Sequence, residues 1–228
     1  MEAIVLAGGF GTRLRQTISN VPKSMAPVGN RPFLEILLTL IARKGFTRVI
    51  LSTGYMASAI SCYFGNKFEE LDLCYVVEET ALGTGGATRL ALSKSTHNHV
   101  FIFNGDTYLD LEVDLIENKW RSLQQPIVVA RHVDDTSRFG SLLLNNNKVE
   151  SFNEKGSTGP GFINAGCYVF PRDILDNFPL YHPFSLESDF LSPQAPNGRI
   201  NYFVTSGLFI DIGIPEDYQK AQTLLSKL

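Results

Sequence analysis

A chain of 228 residues, of which 44% are hydrophobic and 19% charged, can bury a core that is stable without disulfides or metals. Its formal net charge of −3 argues against a nucleic-acid partner, which would require a basic patch. The sequence has neither a run of about 20 apolar residues nor a signal peptide, so we expect a cytoplasmic protein without a membrane partner. The cysteines, Cys62, Cys74 and Cys167, form no CxxC pair, which predicts buried, reduced thiols.

Strands and helices alternate in the first 105 or so residues. Continuous apolar runs predict strands buried on both faces at residues 3–8, 48–54, 72–79 and 99–106. Apolar residues at helical spacing predict helices at 32–45, 57–64 and 83–94. This alternation predicts an α/β fold with a doubly wound sheet.

The second half has a different pattern. Short strands between polar or glycine-bearing turns are predicted at 126–133, 140–145, 149–154, 164–170 and within 200–213. They suggest an antiparallel extension of the same sheet. Helices are predicted at 172–178, after a cap at Ser185, and at 215–227, where Pro215 occupies the first turn. No linker or repeat is visible, so we predict a single domain over 1–228.

The segment "LAGGFGTRLR" follows the first strand. Gly8, Gly9 and Gly11 leave backbone N–H groups uncovered, and such groups can face an anion. The dinucleotide fingerprint GxGxxG fails at Leu14, and Pro22 stands before Lys23 where the P-loop motif requires a glycine. On these residues alone, a tight structural turn and a phosphate cradle both stay open.

Two cations favour the cradle, because Arg13 and Lys23 would repel each other unless they meet a polyanion. The pattern Gly-Phe-Gly-Thr-Arg at 9–13, followed by Pro-Lys-Ser-Met-Ala-Pro-Val at 22–28, resembles the signature of the sugar-1-phosphate nucleotidyltransferases, or nucleotide-sugar pyrophosphorylases. "EETALGTGGA", "NGDTYLD" and "FIDIGIPEDY" extend this resemblance over most of the chain. It implies a Rossmann-like fold with a nucleotide-binding half at 1–115 and a sugar-phosphate-binding half with the C-terminal helix at 116–228.

The reaction that the resemblance implies joins two anions. A sugar 1-phosphate oxygen attacks the α-phosphorus of a nucleoside triphosphate and expels pyrophosphate, so charge neutralisation and alignment dominate catalysis. By resemblance, the catalytic residues are Arg13, Lys23 and Asp106, and Mg²⁺ is held by Asp106 and Asp211. The nucleotide-binding residues implied are Leu6, Ala7, Gly8, Gly9, Gly11, Thr12, Arg13, Lys23, Glu78, Gly83, Thr84 and Asp106.

The sugar side lies in the second half. By resemblance, Glu154 accepts hydrogen bonds from sugar hydroxyls and Lys155 holds the sugar's phosphate. The complete set implied is Gly140, Glu154, Lys155, Asn164, Gly166 and Glu187. A solvated hairpin pair at 154–155 and a simple helix cap around Glu187 stay open as structural alternatives.

The base and the sugar are less constrained. Guanine offers two adjacent donors that one carboxylate can accept, so Glu78 and Glu79 favour GTP. Within the family, the chain most resembles guanylyltransferases acting on D-glycero-α-D-manno-heptose 1-phosphate, which make GDP-heptose for surface polysaccharide. Mannose 1-phosphate as acceptor, UTP, CTP or dTTP as donor, a non-catalytic nucleotide-sugar sensor and a homodimer stay open. An NAD-dependent oxidoreductase is disfavoured by the failed fingerprint.

Overall fold

The computed structural model describes residues 1–9, 21–153 and 158–227. Its strands are β1 (Glu2–Leu6), β2 (Pro27–Val28), β3 (Arg31–Pro32), β4 (Arg48–Thr53), β5 (Lys67–Phe68), β6 (Leu71–Val77), β7 (His99–Asn104), β8 (Thr107–Leu109), β9 (Ile127–Val133), β10 (Ser141–Asn145), β11 (Lys148–Asn153), β12 (Gly161–Pro171), β13 (Asn201–Thr205) and β14 (Phe209–Asp211). Its α-helices are α1 (Phe33–Arg43), α2 (Ala57–Phe64), α3 (Gly83–Leu92), α4 (Val113–Leu123), the short α5 (Ser192–Gln194) and α6 (Pro215–Leu224).

Ten of these strands form one mixed sheet, in the order β10-β11-β13-β9-β12-β7-β1-β4-β6-β5. The four strands β6, β4, β1 and β7 lie side by side in this order and are parallel, so that β1 is flanked by β4 and β7. The direction of winding reverses between β1 and β7, and ligands of such sheets bind beyond the carboxyl ends of the strands at this reversal. The fold itself therefore places a candidate site after Leu6 and Asn104.

The second half extends the sheet from β7. Strand β12 runs antiparallel to both β7 and β9, while β13 lies parallel to β9. The predicted α/β, doubly wound mixed sheet with a largely antiparallel extension is confirmed. One continuous sheet joins both halves.

Side chains alternate between two cores on opposite faces of the sheet. Ala3 and Val5 face α1, α2 and α4, whereas Ile4 faces α3 and the π-helical segment Leu186–Leu191. A third cluster packs α6 against α1 and the β8–β14 pair. Among the residues described, none of the helices combines the length and apolar character needed to span a bilayer.

Three local predictions need correction. Residues 172–178 form consecutive turns rather than a helix, with backbone bonds of the type Asp176 N–H to Asp173 C=O, and the Asp176 carboxylate pairs with Arg89 on α3. Helix α4 was not predicted, since its apolar stripe is narrow among charged residues. Cys62 is exposed and Cys74 is partly buried, so of the three free thiols Cys167 alone is buried as predicted. The cap at Ser185 is confirmed: its side chain accepts from Ser188 N–H.

A buried carboxylate fixes the start of β1. The Glu2 side chain is fully buried and accepts hydrogen bonds from Arg48, its partner on β4, and from Ser95. It also accepts from Thr96 N–H, at 3.1 Å, and from His97 N–H, at 3.3 Å. Burial alone would raise the pKa of Glu2, but these hydrogen bonds together lower it.

We expect Glu2→Gln to lower the free energy of unfolding by about 3 kcal/mol at pH 7.5, because it leaves the Arg48 charge without its buried partner. Since the folded pKa of Glu2 lies below its ordinary value of 4.5, the wild-type advantage is complete above that value. It is lost as the pH falls through the folded pKa. Urea unfolding at pH 7.5 and at pH 4 measures both effects. Glu70→Gln, at an exposed position, is the control, and equal stabilities at pH 7.5 would contradict the prediction.

Candidate functional site

A cavity of about 520 Å³ opens beyond the carboxyl ends of β1, β4, β6 and β7. Of the predicted nucleotide residues, those that line it are Leu6, Gly8, Gly9, Glu78, Gly83, Thr84 and Asp106. Ala7 does not line it, because its side chain is buried in the core and its N–H donates to the Ser52 carbonyl. Lys23 does not line it either, and reaches it only through its bond to Asp106. Gly11, Thr12 and Arg13 lie outside the described residues.

The two glycines that follow Ala7 have different surroundings. A β-carbon at position 8 would overlap Oε1 of Glu78, so close packing against that carboxylate requires the first glycine. A β-carbon on Gly9 would meet nothing within 4 Å, and its backbone faces open space beside the cavity. Packing thus explains the glycine at position 8, whereas the predicted ligand cradle at Gly9 stays a prediction.

The Glu78 carboxylate lies at the wall of this cavity. It accepts hydrogen bonds from Leu82 N–H, at 3.1 Å, and from Ser52 Oγ, at 3.3 Å. Burial raises the pKa of Glu78, and these two bonds only partly oppose the shift. Glu79 lines the same cavity and is exposed.

Two aspartates and a lysine meet at the edge of the cavity. The short antiparallel pair of β8 and β14 sets Thr107 opposite Asp211, and Ile212 N–H donates to the Asp106 carbonyl at 3.0 Å. Lys23 Nζ donates to Asp106 Oδ2 at 2.5 Å. The structure therefore brings together Lys23, Asp106 and Asp211, which the sequence predicted as a group.

Asp211 is the more buried member of the carboxylate pair. Gly213 N–H donates to its Oδ1 at 2.7 Å. Burial and, secondarily, the negative charge of Asp106 raise the pKa of Asp211. Lys23 opposes this shift. The pair thus creates a place where further positive charge is stabilised.

A second cavity, of about 590 Å³, lies on the other side of these carboxylates. The predicted sugar-side residues that line it are Gly140, Asn164, Gly166 and Glu187, and Asp211 lines it too. Asn104, at the end of β7, lines both cavities. Glu154 and Lys155 lie outside the described residues.

Sequence reasoning missed several residues of this second cavity, among them Arg138, Tyr168 and Asn104. Arg138 lines it and is held by an ion pair with Asp217 in the first turn of α6. Tyr168 and Asn104 line it from β12 and β7. The segment "RFG" contained a signal for Arg138, since an arginine beside a close-approach glycine is suited to an anion, whereas the roles of Tyr168 and Asn104 depend on strand pairing.

Comparisons with known proteins agree with this arrangement. A family model described as nucleotidyl transferase matches residues 2–227. The chain is 39% identical to the D-glycero-alpha-D-manno-heptose 1-phosphate guanylyltransferase of Aneurinibacillus thermoaerophilus, with 97% of each chain covered. It is 34% identical to the mannose-1-phosphate guanylyltransferase of Mycobacterium tuberculosis, matching 96% of this chain and 62% of that one.

A solved structure is similar over the same length. HddC from Yersinia pseudotuberculosis complexed with GMP-PN superposes with a TM-score of 0.86 and 37% sequence identity, covering 97% of this chain and 98% of that one. The family model spans nearly all of the chain, and the predicted lysine and aspartates converge at one site. The chain therefore belongs to the nucleotidyl transferase family, which confirms the resemblance seen in its sequence.

Proposed function

We propose that this protein transfers GMP from GTP to D-glycero-α-D-manno-heptose 1-phosphate, giving GDP-heptose and pyrophosphate. The observation that carries the proposal is the position of Lys23, Asp106 and Asp211 between two cavities of substrate size. The identities to guanylyltransferases that use a heptose or a mannose 1-phosphate support the choice of base and make mannose 1-phosphate the second candidate acceptor.

We assign the nucleotide to the first cavity and the sugar phosphate to the second. Of the residues that the structure describes, those lining the first cavity all precede position 115, and those lining the second, apart from Asn104, all lie at or after Arg138. This division supports the predicted halves at 1–115 and 116–228. Arg138 adds a positive charge to the second cavity, where an acceptor's phosphate requires one.

The carboxylate pair fits Mg²⁺. Across the described ranges, no group of three or more His, Cys, Asp or Glu side chains is arranged to hold a metal ion. Mg²⁺ commonly takes only one or two protein carboxylates and completes its six ligands with phosphate oxygens and water. Burial and the neighbouring charge of Asp106 both raise the pKa of Asp211, and a cation beside the pair would stabilise its charged form. Bound there, Mg²⁺ would supply charge neutralisation for the reacting phosphates.

The protein's own groups align and neutralise the reactants. Lys23 Nζ donates to Asp106, which lines the first cavity, and we assign it the role of stabilising negative charge that develops on the attacked phosphate. The open backbone at Gly9 offers its N–H to a phosphate oxygen. Gly11, Thr12 and Arg13 keep their predicted roles at the triphosphate, and Glu154 and Lys155 theirs at the sugar and its phosphate. No protein nucleophile is needed.

The direct test is pyrophosphate release with Mg²⁺, five nucleoside triphosphates and a panel of sugar 1-phosphates. We expect the highest kcat/KM with GTP and the heptose 1-phosphate, and a value lower by about tenfold or more with mannose 1-phosphate, since acceptor hydroxyl contacts would differ. Release with UTP but not with GTP would overturn the guanine assignment. No release with any pair would overturn the enzyme assignment and favour the sensor.

We expect Asp106→Asn and Asp211→Asn each to lower kcat by about 10³-fold, because each removes charge stabilisation at the reacting phosphates. The stability of Asp211→Asn should not fall, since burial already disfavours the charged form of this side chain. Asp110→Asn, which changes a half-exposed aspartate paired with Lys44, is the matched control and should retain activity. Full activity in either site variant would remove that residue from the proposed metal site.

We expect Glu78→Gln to reduce the preference for GTP over UTP by about 10- to 100-fold, because an amide cannot accept both adjacent guanine donors. The readout is the ratio of kcat/KM values for the two nucleotides. Glu79→Gln, at the neighbouring exposed position of the same cavity, is the control and should retain the wild-type ratio. An unchanged ratio in Glu78→Gln, with a reduced ratio in Glu79→Gln, would move the base contact to Glu79.

A further inference from the structure

The first turn of α3 is packed tightly against the segment 182–187. A β-carbon on Gly83 would lie 2.6 Å from the Phe184 carbonyl oxygen, and one on Gly85 would overlap the Phe184 ring. Gly85 N–H donates to the Phe184 carbonyl, and Phe184 N–H donates to the Leu82 carbonyl, each at 3.0 Å. The glycines of "GTGG" thus allow the first turn of α3 to pack directly against the segment 182–187.

Glu187 is held by this contact. Thr84 Oγ1 donates to its Oε2 at 2.7 Å, and Ser185 Oγ donates to the same oxygen at 3.2 Å. Tyr168 Oη donates to its Oε1 at 3.1 Å. Leu186 N–H in turn donates to Thr84 Oγ1 at 2.9 Å, which fixes the direction of the threonine hydroxyl. Every one of these partners of Glu187 donates, so the side chain acts purely as an acceptor.

The same hydrogen bonds continue into the second cavity. Tyr168 is 1% exposed, and its hydroxyl accepts from Asn164 Nδ2 at 2.8 Å while it donates to Glu187. The Asn164 side-chain oxygen accepts from Gly166 N–H at 3.1 Å, which leaves one amide hydrogen for a ligand. Thr84 lines only the first cavity, whereas Asn164, Tyr168 and Glu187 line only the second.

We propose that Glu187 is a positioning residue that couples the nucleotide site to the sugar-phosphate site through Thr84. The inference rests on the proposed function, which assigns one substrate to each cavity. A nucleotide in the first cavity contacts the first turn of α3 and thereby holds the hydrogen bond between Thr84 and Glu187 in place. This bond holds the Glu187 carboxylate, and through it the Tyr168 hydroxyl and the Asn164 amide, in the orientation that binds the sugar phosphate. Such coupling is reciprocal between the two ligands.

The test is a double-mutant cycle with Thr84→Val, Glu187→Gln and the combined variant. The heptose 1-phosphate is titrated calorimetrically into protein saturated with Mg²⁺ and a non-hydrolysable GTP analogue. We expect each single substitution to raise the Kd of the sugar phosphate about fivefold or more. The combined variant should bind no more weakly than the weaker single variant, because Thr84 acts on the sugar phosphate only through Glu187. Effects that multiply in the combined variant would overturn the coupling.

Two further variants separate coupling from loss of structure. Thr88→Val makes the same substitution one turn along α3, where the hydroxyl donates to the Thr84 carbonyl and not to Glu187, and should retain the wild-type Kd. Thr84→Ser keeps the hydroxyl and should also retain it. A wild-type Kd in Thr84→Val, or a weakened one in Thr84→Ser, would overturn the inference. Wild-type protein that binds neither the analogue nor any sugar phosphate would overturn the proposed function itself.

Discussion

The site depends on holding two mutually repelling carboxylates side by side. Asp106 and Asp211 come from distant parts of the chain, and the short pairing of β8 with β14 fixes their separation through backbone hydrogen bonds. Burial first, and the charge of Asp106 second, raise the pKa of Asp211. Lys23 opposes this shift, and a further positive charge beside the pair would oppose it in the same way.

The glycine segment after β1 has two physical functions rather than one. Gly8 is required by the approach of the Glu78 carboxylate, whereas the backbone of Gly9 is uncovered. Consequently a position set by packing and a position without close neighbours lie next to each other in the chain. The glycine motif, which resembled a single phosphate cradle, therefore also serves packing. Gly8 leaves room for Glu78, the residue proposed to contact the base.

The sequence predicted what depends on local pattern. Apolar runs identified the strands of the sheet, and the motifs around Lys23, Asp106 and Asp211 identified the charged centre. Contacts that require tertiary pairing were missed: Asn104 acts in both cavities only because β7 lies between β1 and β12. Arg138 is oriented by Asp217 on a helix far along the chain. The turns at 172–178 were mistaken for a helix because their apolar spacing fits a helix, whereas the backbone there forms successive turns and the Asp176 side chain pairs with Arg89 on a distant helix.

The two halves of the molecule can vary separately because few side chains connect their cavities. Asn104 contacts Gly166 at a register shift of β12, where the chain has a φ of +71°. Among the described residues, Thr84 and Glu187 provide another connection. Asp106 in the first cavity and Asp211 in the second interact electrostatically and form a third. Side chains of the second cavity that take no part in these contacts can therefore vary with less effect on the first cavity.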